Sequence, residues 1–252
     1  MGSFTIAFLG FGLLFYAQAS VWESLFHEFI LDLTADHPRW LRGFKAWWPS
    51  LWTVQVDHNV LHHYRTYRQS YVEMFSHPND EARLQVALHR QYDPATVRAF
   101  IHSRYGSTFT WAVVVPYSVP TWLSFLWLLV LPSWPSMLGC LVASLLFSTP
   151  YVVFSMWVHL YMHMRFDRAM REAPFCLRLI LRSPYGIAVR ISHYVHHQDP
   201  KMNYNLQYLA DRLRGRWRAP TNAEWDRMVV LGLIEPRHRA QFEGRSFLGH
   251  PF

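Results

Sequence analysis

The sequence predicts an all-α fold: an integral membrane helical bundle of three spans, or four, under a cytosolic helical cap that holds a histidine-rich dimetal site. Three observations predict it. From Tyr105 to Met164, sixty residues pass without a Lys, Arg, Asp or Glu. Met1 to Trp22 also lacks any charged side chain. Finally, nine of the 15 histidines fall in four short clusters, His58/His62/His63, His159/His163, His193/His196/His197 and a looser one that begins at His27.

Composition agrees with a membrane protein of one domain. The chain has 252 residues, of which 51% are hydrophobic and 17% aromatic. Only 16% are charged, against about 25% in soluble domains. A net charge of +7 suits positive flanks facing the cytoplasm and anionic lipid. No nucleic-acid recognition module is visible, so nucleic acid is not an expected partner. Cys140 and Cys176 form no paired framework, which leaves a disulfide scaffold, a thiolate zinc site and an iron–sulfur cluster without support.

The first span is expected at about residues 4–22, close to the ~20 residues a crossing requires. A buried core helix would read the same way. No basic segment precedes it and no cleavage site follows, so it does not read as a signal peptide. Residues 23–104 then form the first half of the cap. Trp47, Trp48 and Trp52 suit a membrane interface or an aromatic turn. Val54–Arg68 reads as a helix carrying His58, His62 and His63. Glu81–Arg104 is amphipathic and broken at Asp93-Pro94, where Asp93 caps a second helix with Pro94 at its first position. His77, His89 and His102 read as solvated surface.

Pro132–Ser136 divides the uncharged stretch into two further spans, about 110–131 and 137–158, with kinks expected at Pro116 and Pro120. Residues 159–219 complete the cap. Ala173–Arg190 alternates arginine with apolar residues, as in a helix lying at the interface. His193, His196 and His197 follow at i, i+3 and i+4, one face of a helix. Arg212, Arg214, Arg216 and Arg218 form a basic patch. Thr221 and Glu224 form a capping box. The tail, 220–252, is polar, and its last part from Glu235 is expected to be partly loose.

With three crossings, all four clusters lie on the same side as nearly every Lys and Arg, which the positive-inside rule makes the cytoplasm. A lone His-x3-His pair reads equally well as two surface or core histidines. Four clusters at the ends of apolar helices do not. Imidazole is the commonest side-chain metal ligand near neutral pH. Nine are too many for one ion, whereas two metals with four or five ligands each would use the set. All-imidazole or imidazole–carboxylate sites without thiolate suit Fe, Zn, Cu or Ni.

From about Trp22 to Trp217 the pattern resembles the fatty acid hydroxylase/sterol desaturase superfamily of integral membrane non-haem di-iron oxygenases. That family shows His-x4-His at the end of a span, then His-x(2–3)-His-His, an apolar hairpin, His-x3-His and His-x2-His-His. Here the last three are His58/His62/His63, His159/His163 and His193/His196/His197. Tyr204-Asn205-Leu206 and Asp211-Arg212-Leu213 look like the family's tail. The first box departs: five residues after His27 stands Asp32. A carboxylate is a competent iron ligand, so Asp32 is the expected tenth ligand, with His37 and Glu23 as rivals.

The resemblance implies two iron ions, replaceable by zinc in purified protein, with O2 as co-substrate. It implies hydroxylation of a lipid or other membrane-soluble hydrophobic substrate entering from the bilayer. Electrons would come from a separate cytochrome b5-like or ferredoxin-like protein docking on Arg65/Arg68 or Arg212–Arg218. Asp57 and Asp199 are expected to orient ligand imidazoles. Two other readings stay open: a lipid desaturase with the same site, and a membrane metal-binding or metal-transport protein. Transport predicts ionisable residues within the spans, and Tyr105–Val158 has none.

Overall fold

The computed structural model describes residues 2–32, 49–108, 118–148, 157–204 and 206–252. Among them the fold is mostly helical, with one two-stranded hairpin. Helix α1, Gly2–Phe26, runs on without a break into a π-helical turn, His27–Leu31. It contains the expected first span and is the one described helix long and apolar enough to cross a membrane. Ile6, Leu9 and Leu13 project outward from it.

Two shorter apolar helices stand where the other spans were expected. They are α5, Val119–Leu126, extended by a 3-10 turn Trp127–Leu129, and α6, Trp134–Phe147. Residues 110–117 and 149–156 of the expected spans lie outside the described residues, as do Trp47, Trp48 and the kink at Pro116. Helices α1 and α6 pack closely. A side chain at Gly139 would strike the Phe4 carbonyl oxygen and the Ala7 methyl, so only glycine lets the two backbones approach there. Gly12 meets the Phe147 ring at the other end. Phe4 opposite Gly139 and Gly12 opposite Phe147 make the two helices parallel. Leu31 and the chain beyond Phe147 therefore lie towards the same end.

The cap begins with α2, Pro49–Gln55, which continues as an eleven-residue π-helix, Val56–Thr66. The expected helix is thus present, but with i→i+5 hydrogen bonds over the histidines. Helices α3, Asp80–His89, and α4, Pro94–His102, follow as expected. Asp93 Oδ1 accepts from Ala95 N at 2.9 Å and from Thr96 N at 3.1 Å. His77, His89 and His102 are exposed.

After α7, His159–Met162, come α8, Phe166–Glu172, and α9, Phe175–Leu181. The long helix α10, Pro184–Gln198, starts at Ser183, whose hydroxyl accepts from Gly186 N at 3.1 Å. The single interfacial helix expected over Ala173–Arg190 is therefore corrected to two, divided at Ser183-Pro184. The second is a core helix, and its Arg190 is fully buried.

Beyond α11, Ala210–Leu213, the capping box holds: Thr221 starts α12, Asn222–Val230, and Glu224 reaches back to it. The tail is not loose. Helix α13, Pro236–Phe242, and a short hairpin pairing Ser246–Phe247 with His250–Pro251 fold onto the protein. Phe242 and Phe252 enter the core with Trp225, Met228 and Ile234. Each large apolar side chain removed from water there contributes roughly 1.5–3 kcal/mol, which offsets the ordering of a polar segment.

Candidate metal centre

Ten side chains converge in the cap. Five imidazoles, His62, His159, His163, His193 and His197, bring ligand nitrogens within 4.8 Å of one another. Asp32 gathers the rest: it groups with His27 and His196 on one side and with His58 and His63 on the other. Every residue expected as a ligand is therefore in one of these groups. His37 lies outside the described residues. Glu23 is turned away, its Oε2 accepting from Gln207 N at 2.9 Å.

Asp32 sits at the middle of four imidazoles. Its Oδ1 is 3.1 Å from His58 Nδ1 and 3.5 Å from His63 Nε2, and its Oδ2 is 3.1 Å from His196 Nε2 and 3.5 Å from His27 Nε2. The two groups share a boundary. The His63 ring of the Asp32 group stacks on the His197 ring of the other, centroids 4.2 Å apart, and within the five-imidazole group His62 Nε2 is 3.1 Å from His197 Nε2.

The π-helical turns explain how the spacing works. On an α-helix a residue five positions on points about 140° away, five steps of ~100°. His58 and His63, like His27 and Asp32, are five apart. An i→i+5 turn brings such residues into register. For His27 and Asp32 that bond is Asp32 N to His27 O at 2.7 Å; His58 and His63 lie inside the π-helix that ends with Tyr67 N to His62 O at 3.3 Å. Helix α10 needs no such device, because His193, His196 and His197 share one α-helical face.

Backbone carbonyls orient three rings. His159 Nδ1 donates to Ser107 O at 3.2 Å, His163 Nδ1 to Tyr71 O at 3.1 Å and His196 Nδ1 to Met202 O at 2.8 Å. A proton on Nδ1 leaves the lone pair on Nε2, the atom facing the cluster. His163 Nε2 and His193 Nε2 lie 3.0 Å apart. With the proton of His163 on the outer nitrogen, its inner lone pair faces another ring nitrogen, a geometry suited to a shared cation. His62 Nδ1, both nitrogens of His63 and His27 Nε2 are buried without a hydrogen-bond partner among the described residues. Such groups are costly unless something else binds them. The donor set thus fits a metal: a buried histidine cluster that could hold an ion.

Electrostatics agree. Burial, reinforced by neighbouring imidazoles, holds His62, His193 and His197 well below the usual histidine range. Their lone pairs stay free at neutral pH. Burial would raise Asp32, but His196, His27, His58 and His63 outweigh it and hold the carboxyl well below the usual range.

The expected orienting carboxylates are corrected. Asp57 is buried beside Ser103, and burial pushes its carboxyl well above the usual range. Asp199 caps the end of α10, its Oδ1 accepting from Lys201 N at 3.2 Å. The carbonyls of Tyr71, Ser107 and Met202 do the orienting. Nothing in a sequence flags a carbonyl, so they were missed.

A second polar network was also missed. It ties the charged end of α1 to the segment after Tyr204. Ser20 Oγ donates to Gln207 O at 2.7 Å, Ser24 Oγ to Asp211 Oδ1 at 2.5 Å, and Arg216 reaches Glu28 at 2.7 Å, with Arg214 on the same carboxylate. Arg218 pairs with Glu224 at 2.7 Å. The expected basic patch is therefore largely spent on the protein's own carboxylates. The network positions His27 and Asp32, and Tyr204 packs 5.5 Å from the His196 ring and 5.9 Å from His27.

Two cavities adjoin these elements. A polar cleft of about 640 Å³ opens on His63 and His197, between Tyr67, Tyr71, Tyr194 and Arg227. An apolar groove of about 460 Å³ lies between α1, α6 and α9, lined by Tyr16, Leu146, Phe147, Ile180, Tyr185 and Gln207.

Fold and site together define a class: a helical protein with a buried histidine cluster able to hold metal and one helix able to cross a membrane. No family model, curated protein or solved structure matches the chain.

Proposed function

We propose that the protein is an O2-dependent non-haem di-iron hydroxylase of a lipid or other membrane-soluble substrate, built as the fatty acid hydroxylase/sterol desaturase superfamily is. One observation carries the reading: ten ligand side chains from four separate segments, nine of them buried and His197 half-buried, meet in a five-imidazole group and in two further groups that share Asp32. His62, His159, His163, His193 and His197 would hold one iron. Asp32, His27, His58, His63 and His196 would hold the other. Bound iron would supply the redox chemistry that lets O2 attack an unactivated C–H bond.

The chain's own residues do the rest. The carbonyls of Tyr71, Ser107 and Met202 hold ring protons at Nδ1 and keep Nε2 available. Nine of the ten ligands are buried, and access to the centre is by the polar cleft at His63 and His197. The apolar groove beside Tyr16 suits a lipid chain, and Gln207 links it to the segment that carries Tyr204. In this reading the protein is multi-pass, with the site facing the cytoplasm. A separate electron-donor protein, cytochrome b5-like or ferredoxin-like, meets the exposed Arg65 and Arg68.

The test is reconstitution with ferrous iron, a reductase system and membrane lipid under labelled O2, followed by mass spectrometry. A product heavier by one labelled oxygen, lost in His193→Ala, is the expected result. A product lighter by two hydrogens makes the protein a desaturase. No O2 uptake with any lipid class, in protein that carries two metals, leaves a metal-binding protein.

A further inference from the structure

Arg190 is the one charged side chain of α10 and is fully buried. Its charge has no carboxylate partner among the described residues. Nη1 donates to Met164 O at 2.5 Å and to Met162 O at 3.4 Å, the two carbonyls that flank His163. Nε and Nη2 have no hydrogen-bond partner among the described residues. The guanidinium carbon lies 5.8 Å from the centre of the Phe166 ring. Burial lowers Arg190 to about 10, so it stays protonated at neutral pH.

Packing does not explain this residue. A methionine would fill much the same space without desolvating a charge, and replacing buried charges by apolar side chains is often neutral or stabilising. The guanidinium does what methionine cannot: it grips the carbonyls on both sides of a single histidine. Met162 is the last residue of α7, where the last C=O groups of a helix lack intrahelical partners, and Met164 lies two residues beyond it. Arg190 also lies three residues before His193, so the two share a face of α10. One clamp therefore fixes the backbone of His163 to the helix that carries His193. The ring of His163 is held from the other side by Tyr71 O, and its Nε2 meets His193 Nε2 at 3.0 Å.

We propose that Arg190 is a positioning residue for the five-imidazole group: it locks His163 against His193 and so sets the metal affinity of that group alone. The proposal rests on the two-group metal reading above. None of the carbonyls it grips belongs to the segments that carry Asp32, His27, His58 or His63.

The experiment compares the full chain with Arg190→Met and Arg190→Lys, using zinc as the probe. In the wild type two equivalents are expected. Arg190→Met should bind one equivalent at least about tenfold more weakly, the usual range for removing a group that orients a ligand. The second equivalent should stay within about twofold. Arg190→Lys, which keeps the charge and can reach a carbonyl, should recover most of the loss. Equal weakening of both equivalents would show a general packing role and overturn the proposal, as would wild-type binding by Arg190→Met.

Hydrogen exchange on the metal-free proteins decides the same question without metal. The segment 157–166 should exchange faster in Arg190→Met, with 27–32 and 56–66 unchanged. No change at 157–166 overturns the proposal. If the wild type binds a single equivalent, the two-metal reading fails, while the exchange result still tells whether Arg190 holds His163.

Discussion

At the scale of single residues, Asp32 has the most consequence. It is the sole carboxylate among the ten, and four imidazoles face it within 3.5 Å. Removing it leaves those four without the charge that balances a bound cation. If the proposed di-iron hydroxylase reading holds, Asp32→Ala should lose one of two metal equivalents, retain the five-imidazole one, and lose turnover by at least ~100-fold, beyond the 10–100-fold usual for outer partners. Asp32→His, which restores a ligand five residues after His27, should recover part of the metal. Elemental analysis beside an activity assay reads both; full metal in Asp32→Ala would remove it from the ligand set.

A different residue-scale effect sits in the C-terminal hairpin. His250 is buried against Trp217, ring centroids 4.4 Å apart, and Tyr208. Burial, with the Arg212 guanidinium nearby, pulls it down to about 4, whereas an unfolded histidine titrates near ~6.5. Between those values the unfolded segment binds more protons than the folded one, so stability rises with pH. The hairpin's contribution should be intact above about pH 6.5, weaken as pH falls toward 4, and change no further below that. Amide exchange of residues 242–252 across this window should show that slope. His250→Gln should flatten it.

At the scale of elements, the π-helix over Val56–Thr66 does what an α-helix could not. It carries His58 and His63 to the Asp32 group and His62 to the five-imidazole group, so one element serves both. Its position depends on the turn that follows α4. Gly106 has φ +79°, and a Cβ there would overlap the Asp57 carbonyl oxygen and lie 3.0 Å from His58 Cα. The next residue, Ser107, supplies the carbonyl that orients His159. Gly106→Ala should therefore push the π-helix and the His159 ring together. It should cost about 1–3 kcal/mol, the range for overpacking, and weaken metal retention in both groups. Calorimetry and metal titration check this; loss confined to one group would mean that the turn does not brace the π-helix.

At the scale of the whole molecule, the parallel packing of α1 and α6 matters most. Two parallel helices that cross a bilayer need a third crossing between them. The apolar helix α5 stands in that place in the chain. The proposed cytosolic placement of the clusters would then put Met1 and the Pro132–Ser136 loop on the far side. Single cysteines at Ser3 and at Gln198, both exposed, in a Cys140→Ser/Cys176→Ser background, should label from opposite faces of sealed vesicles. Labelling of both from one face would mean an even number of crossings between them.

Much of the site was legible because metal ligation is written in residue types at helical spacing. His193, His196 and His197 could be assigned to one face from i, i+3, i+4 alone. Asp32 could be named only through the resemblance, whose first box calls for a ligand five residues after His27. The helix starts at Asp93 and Thr221 were equally plain, since caps are local chemistry. What the chain alone left open depends on contacts remote in sequence. Which histidines share a group was undecidable, because His62 and His63 are neighbours that part company in space. That the tail folds down turns on Phe242 and Phe252 meeting Trp225 and Met228. The orienting carbonyls, and the burial of Arg190 against the carbonyls of Met162 and Met164, arise only when segments far apart in the chain are brought together. Residue types and their spacing determined what could bind here; packing decided which side chains meet, and which backbone atoms hold them there.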